Sequence, residues 1–236
     1  MKDILTYDEV VAIEGYRIQK GINVRTKDKT YTALLMSVSD NSPYNDGFSS
    51  DGTVLIYEGE NINTRRDVRD DFNLEPKKVD QPMFTKNGNL TNNGKLFVAA
   101  EDYKLKRREH PESVRVYEKL NPNVWSDKGW FDLTDAEFLL SEAEERKVFK
   151  FILKPKDTES ATPEEREEFE FSRRIPTTIK KKVWERDQGK CVDCGSAKDL
   201  HFDHVIPFSK GGSSTDERNV QLLCSLHNLS KSDKII

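Results

Sequence analysis

The stretch that decides the reading is Cys191–Lys231, CVDCGSAKDLHFDHVIPFSKGGSSTDERNVQLLCSLHNLSK. It holds all three cysteines of the chain. Cys191 and Cys194 form one pair with two residues between them. Cys224 and His227 form a second pair of the same spacing, after an insert of 29 residues. Two intervening residues let both side chains of a pair turn onto one ion, and two such pairs make up the four sulfur and nitrogen ligands that zinc takes in a tetrahedron. So few cysteines, odd in number and clustered, do not suggest a disulfide framework. In a reducing compartment metal is the expected use of such thiols.

Working outward, IPTTIKKKVWERDQGKC reads as a helix that starts after Pro176. Ile179, Val183 and Trp184 share one face, and Gly189 is the stop. Ahead of it, residues 156–170 carry seven acids against two bases, and residues 156–175 read as an acidic linker. From residue 171 onward twelve Lys and Arg stand against eight acids. The overall net charge of −4 therefore hides a basic C-terminal module. Local positive charge is what a phosphate backbone requires.

Residues 1–155 read as mostly β. TYTALLMSV, GTVLIYEG, KLFVAA, ESVRVYEKL and KVFKFILK are β-branched and aromatic runs between polar, Gly- and Pro-containing loops, a pattern that predicts a barrel or a sandwich. Helices are expected around Tyr7 to Ile13 and around Thr134 to Ala143. No internal repeat is present. No apolar run is long enough to span a bilayer, and the N-terminus has no signal-peptide core. The expected location is the cytoplasm, with no membrane partner.

Asp203-His204-Val-Ile-Pro207, Lys210-Gly-Gly212, Asn219-Val-Gln-Leu-Leu-Cys224 and His227-Asn228-Leu-Ser-Lys231 follow one another as in the HNH nucleases, and residues 176–236 resemble that family. The resemblance implies a ββα-metal fold, with two strands, a loop, and a helix starting near Cys224. It implies that His204 is the general base that activates water and that Asn219 holds the loop and orients that base. Asp203 and Asn228 would bind the catalytic divalent cation, Mg²⁺ or Mn²⁺. Cys191, Cys194, Cys224 and His227 would hold a structural Zn²⁺. Many relatives have a cysteine where His227 stands, so His227 has a second reading, as the last motif histidine; the Cys-x2-His spacing favours the zinc role. Lys180, Lys181 and Lys231 are candidates for contact with the DNA backbone. The chemistry agrees: a hard cation on carboxylate and amide oxygens stabilises phosphodiester charge, and a neutral imidazole accepts a proton from water. Asp203 and His204 are adjacent, and on a regular strand they would face opposite ways. The strand must therefore end or twist there.

Further segments, in order, are similar to the SRA (SET- and RING-associated) domain, a PUA-like β-barrel that flips modified cytosine out of DNA. They are Ser42-Pro-Tyr44-Asn-Asp46-Gly47, Val54-Leu-Ile-Tyr57-Glu-Gly59, Asp80-Gln81 with Asn89-Leu90, Ser113-Val-Arg-Val116, Lys128-Gly-Trp130-Phe131 and Val148-Phe-Lys-Phe-Ile-Leu153. The resemblance implies a modified-base pocket in which Tyr44 and Tyr57 stack on the flipped base and Asp46 reads its edge. Lys128-Gly-Trp130 and Glu60-Asn61-Ile-Asn63 depart from the family pattern.

The expected class is α+β: an SRA/PUA-like β-barrel with flanking helices over 1–155, the linker 156–175, and a zinc-stapled ββα-metal HNH domain over 176–236. The expected function is a modification-dependent DNA endonuclease acting on double-stranded, cytosine-modified DNA, as in restriction. One HNH site cuts one strand, so a double-strand break calls for a homodimer or for two visits. Two rivals are a sequence-specific or nicking HNH enzyme of phage or homing type and a non-cutting DNA-binding protein.

Overall fold

The computed structural model describes residues 4–18, 20–24, 31–37, 44, 46–49, 54–62, 75–156, 175–232 and 234–235. Most of the acidic linker, residues 157–174, therefore lies outside the described residues, as do Ser42, Pro43, Asn45 and Asn63. Two compact units emerge. One is made of Ile18–Tyr117 and Gly129–Lys156. The other is made of Met1–Arg17, Glu118–Lys128 and Asp157–Ile236. This grouping departs from a simple division of the chain at 156–175, because 1–17 and 118–128 fold with the C-terminal residues.

The first unit is built on a sheet of β2 (Ile22–Asn23), β3 (Thr32–Met36), β4 (Gly47–Phe48), β5 (Leu55–Glu58), β6 (Glu112–Asn121), β7 (Val124–Ser141) and β8 (Arg146–Pro155), in the order β2-β3-β6-β7-β8-β5-β4, of which residues 118–121 of β6 and 124–128 of β7 belong to the second unit. Ile22, Leu34, Met36, Leu55, Val114, Val116, Phe131, Leu133, Phe149, Phe151 and Leu153 form its core. A helix, α2 (Asn92–Lys104), lays Leu96 and Ala100 into that core. Two expectations are corrected here. KLFVAA is helix and not strand: Thr91 caps it by accepting from the Gly94 N–H at 3.1 Å, and Leu96 and Ala100, four apart, share its buried face. Conversely, 134–143 is not a helix. Its Ala, Leu and Glu residues favour one, but residues 135–141 pair with β8 from Asp135↔Ile152 to Ser141↔Arg146, so tertiary pairing overrides local preference.

The second unit begins with β1 (Ile4–Thr6), which pairs with residues 124–126 of β7, and continues into α1 (Tyr7–Glu14). Thr6 and Glu9 close a capping box on α1, and Gly15 ends it at φ +73°. A third helix, α3 (Thr177–Arg186), buries Ile179 and Val183, with Trp184 half-buried beside them. Its turn closes at Gly189, φ +61°, where a side chain would run into the Trp184 ring. The hairpin of β9 (Leu200–His204) and β10 (Val220–Cys224) follows, then α4 (Ser225–Lys231). This is the expected strand, strand, helix order. Ile4, Leu120, Ile175, Ile179, Val183, Leu200, Val220, Leu222 and Leu223 share one core. Among the described residues no helix is long and apolar enough to cross a membrane.

Candidate active site and metal centre

Cys191 and Cys194 lie on the turn before β9, Cys224 ends β10 and His227 sits in the first turn of α4. Their ligand atoms all lie within 4.8 Å of one another. The Sγ atoms of Cys194 and Cys224 are 3.8 Å apart, and His227 Nδ1 is 3.4 Å from Cys191 Sγ and 3.3 Å from Cys224 Sγ. A tetrahedron with Zn–S near 2.3 Å and Zn–N near 2.0–2.1 Å has edges of about 3.8 Å between sulfurs and about 3.5 Å between sulfur and nitrogen. The four side chains fit that size, and the geometry selects Nδ1 as the nitrogen facing the cluster. Burial alone would push the Cys191 thiol up, but backbone N–H groups of Cys224, Cys194 and Asp193 bring it down to about 6, toward the thiolate a metal needs.

The hairpin is locked to α3 by two residues that the sequence reading passed over. Arg186 grips Asp187 at 2.7 and 2.9 Å and donates to the carbonyls of Glu217 and Val220, while Asp187 accepts from the Leu222 N–H at 2.9 Å.

Asp203 and His204 close β9, opposite Gln221 and Val220. Beyond them the chain leaves the sheet, and Asn219 clamps the departing loop. Its Oδ1 accepts from the Ile206 N–H at 2.8 Å, and its Nδ2 donates to the Ile206 and Ser213 carbonyls at 3.2 and 3.0 Å. Gly212 completes the clamp, since a Cβ there would collide with the Ile206 carbonyl. His204 Nε2 lies 2.9 Å from Ser214 Oγ, and Ser214 is 4% exposed. That bond fixes the ring and engages one of its two nitrogens. Ser214 was not singled out in advance; its signal is a small hydroxyl residue in a Gly-Gly-Ser-Ser loop ten residues after the histidine.

The lysines divide. Lys181 is half-buried on α3. Lys180 turns inward: its Nζ donates to Ser126 Oγ at 3.1 Å and sits 5.4 Å over the Phe202 ring, near the buried Glu118. Lys231 corrects an expectation. It is 2% exposed, and its Nζ is 2.8 Å from Asp203 Oδ2 and 2.6 Å from the His204 carbonyl, so it does not offer its charge outward. Asn228 lies three residues before Lys231, on an adjacent part of the same helix. His201 sits 3.1 Å from Ser225 Oγ, outside the thiol cluster.

In the first unit, Tyr44, Asp46 and Tyr57 come together at β4 and β5. Asp46 Oδ1 accepts from the Glu58 N–H at 2.8 Å, and the Tyr44 hydroxyl oxygen accepts from the Asn61 N–H at 3.5 Å. Tyr57 is 2% exposed, and its hydroxyl donates to the Leu35 carbonyl at 3.4 Å. It is thus a core ring, whereas Tyr44 is half-buried. The segment after Tyr57 is held from below by Asn93, which the sequence reading passed over, and by Gln81 of the quoted Asp80-Gln81 motif. Asn93 pairs with the Glu60 backbone on both sides, at 2.8 Å each. Gln81 donates to the Gly59 carbonyl at 2.7 Å and accepts from the Phe149 N–H at 2.8 Å. Asn89, quoted from the motif, instead closes a turn with Thr85.

Burial pushes the Asp46 carboxyl up to about 7; the Glu58 carboxylate adds to this, and the Glu58 N–H and Lys150 oppose it. Because the folded value lies above the ordinary 3.8, the folded state binds the extra proton between these limits. Stability from this group is therefore lost as pH rises from about 4 to about 7, by at most a few kcal/mol. Asp46→Asn should flatten that part of the profile, and thermal melts of both proteins across pH 4–8 measure it. Parallel curves would mean that Asp46 titrates at its ordinary value.

Residues 191–234 match the family model described as HNH endonuclease. This match supports a nuclease and covers the whole hairpin, Asn219 and all of α4. Comparison with curated proteins gives no match. Among solved structures, the SUVH5 SRA bound to fully hydroxymethylated CG DNA shares 20% identity at a TM-score of 0.42, covering 67% of this chain and 89% of that one. The SUVH5 SRA in complex with methylated CHH DNA shares 21% at 0.43, covering 69% and 92%. Arabidopsis thaliana SUVH6 in complex with SAM shares 18% at 0.40, covering 68% of this chain and 26% of that one.

Proposed function

We propose that this protein is a metal-dependent DNA endonuclease whose HNH site acts on DNA selected for a modified cytosine. The observation that carries the nuclease reading is one ββα unit holding a zinc-sized Cys₃His cluster, a clamped loop, and Asp203 and His204 side by side at the strand end. His204, its ring held by Ser214, takes a proton from the attacking water. Asn219 keeps the loop, and with it the ring, in place. Asp203 and Asn228 supply one carboxylate and one amide oxygen, a donor set suited to Mg²⁺ or Mn²⁺. Such a cation, when bound, stabilises the charge that develops on the phosphate. The cluster holds Zn²⁺ as a structural staple.

The reading of the first unit as an SRA-like, PUA-type barrel rests on the order of its motifs and on the convergence of Tyr44, Asp46 and Tyr57. Tyr44 would stack on the base and Asp46 would meet its edge, while Tyr57, its ring enclosed by the core, would support the pocket from behind. Base-on-aromatic stacking is worth about 1–3 kcal/mol, which is what flipping a base consumes.

The test uses the full chain carrying His204→Ala, so that DNA stays intact. Binding to matched duplexes with cytosine, 5-methylcytosine or 5-hydroxymethylcytosine is compared at one salt concentration, because backbone contacts alone shift affinity steeply with salt. A preference for one modified duplex is expected, and Tyr44→Ala should reduce it by about 5- to 100-fold. Equal binding to all three duplexes would favour an HNH enzyme that reads ordinary sequence.

A further inference from the structure

We infer that Lys231 is a positioning residue that presents Asp203 to the active site and makes cation binding depend on the DNA phosphate. This rests on the reading of Asp203 as a cation ligand. Lysine is almost never fully buried unless paired, and Lys231 is among the largest fully buried side chains of the protein. Two of its three ammonium donors are accounted for, one on Asp203 Oδ2 at 2.8 Å and one on the His204 carbonyl at 2.6 Å. One side chain therefore ties together the side chain of one proposed active residue and the backbone of the next. The strand ends with both residues anchored to the same point on α4, and the carboxylate is held at the end of the sheet by an ammonium and, more loosely, by Gln221 at 3.4 Å.

The charge balance has a second consequence. Asp203 brings one negative charge, Lys231 cancels it, and Asn228 brings none. A divalent cation arriving at Asp203 meets a neutral pair with an ammonium 2.8 Å from the ligand oxygen. The negative charge that would favour the cation has to come with the substrate, and a phosphodiester supplies it. The cation affinity of the free protein is then low, and it rises when DNA is present.

The experiment titrates Mn²⁺ into the zinc-loaded full chain carrying His204→Ala and follows free Mn²⁺ by electron paramagnetic resonance. It is done without DNA and with a short duplex, with the duplex's own Mn²⁺ uptake subtracted. The duplex is expected to tighten Mn²⁺ binding. Lys231→Met should tighten DNA-free binding by about tenfold or more and shrink the effect of the duplex, since a repelling charge next to the ligand is gone. Lys231→Arg should keep the original behaviour. Lys231→Met binding Mn²⁺ no better than the parent, with zinc retained, overturns the proposal. So does a parent protein that binds Mn²⁺ equally with and without duplex, a measurement that needs no Lys231 variant to fold. Asp203→Ala separates the two levels: if it leaves Mn²⁺ uptake unchanged, the assignment of Asp203 as a ligand is what fails.

Discussion

Replacing Cys224 with serine is expected to release the zinc and unfold residues 175–232. A structural zinc site of this kind contributes on the order of 10–16 kcal/mol to a small domain that cannot fold without it. The dependence is severe here because the hairpin has two short strands, and its last ligand lies on a seven-residue helix, α4, that buries little apolar surface of its own; Leu226 and Leu229 stay 79% and 76% exposed. A serine oxygen is a poor substitute for a thiolate, and the remaining three ligands leave the tetrahedron open. Metal analysis should find one zinc per chain in the parent and none in the variant. The fluorescence of Trp184, whose ring packs on Gly189 in the turn after α3, should shift as that turn is lost. A parent protein purified without zinc, or a Cys224→Ser variant that melts like the parent, would remove the staple from the account.

Replacing His204 with alanine is expected to lower the cleavage rate by about 10²–10⁴, the range for loss of a general base, while zinc content and DNA affinity stay near the parent's. The two halves of that expectation come from separate contacts. The imidazole reaches Ser214, whereas the backbone of His204 is what Lys231 and Val220 hold, and alanine keeps the backbone. Single-turnover cleavage of a modified duplex measures the first half, and metal analysis with a binding titration measures the second. Cleavage by His204→Ala at the parent's rate would show that another group takes the proton.

The Cys₃His cluster and the ββα order were legible because their information is local. The two ligand pairs declare themselves by spacing, and Leu200, Phe202, Val220 and Leu222 alternate toward one core. Helix α3 was legible for the same reason, with Ile179 and Val183 one turn apart. What stayed hidden depends on distant partners. The 134–143 segment has helical composition and becomes strand only because β8 lies beside it. Lys231 looked like an outward cation because a lysine near a proposed active site usually is one; only the fold brings Asp203 to its ammonium. Ser214, Arg186 with Asp187, and Asn93 are ordinary polar residues in sequence, and they become positioning groups through bonds that no motif records, Ser214 to the His204 ring and the others to backbone atoms. Tyr57 was legible as a strand aromatic but not as a residue whose ring would be enclosed by the core.

The division of residues between the two units also bears on the order in which the protein is made. The chain starts in one unit, enters the other at Ile18, returns at Glu118, leaves again at Gly129 and comes back for its last part. Ile4 and Leu120 belong to the same core as Val183 and Leu222. During synthesis the early pieces of the cutting unit must therefore wait until its late ones have emerged, by which time the whole of the other unit is already out. A protease acting within 157–174 would not free a complete cutter either, because the C-terminal fragment would leave Ile4 and Leu120 behind. On the nuclease reading proposed above, nascent chains and fragments cut within that segment would carry an incomplete cutting unit.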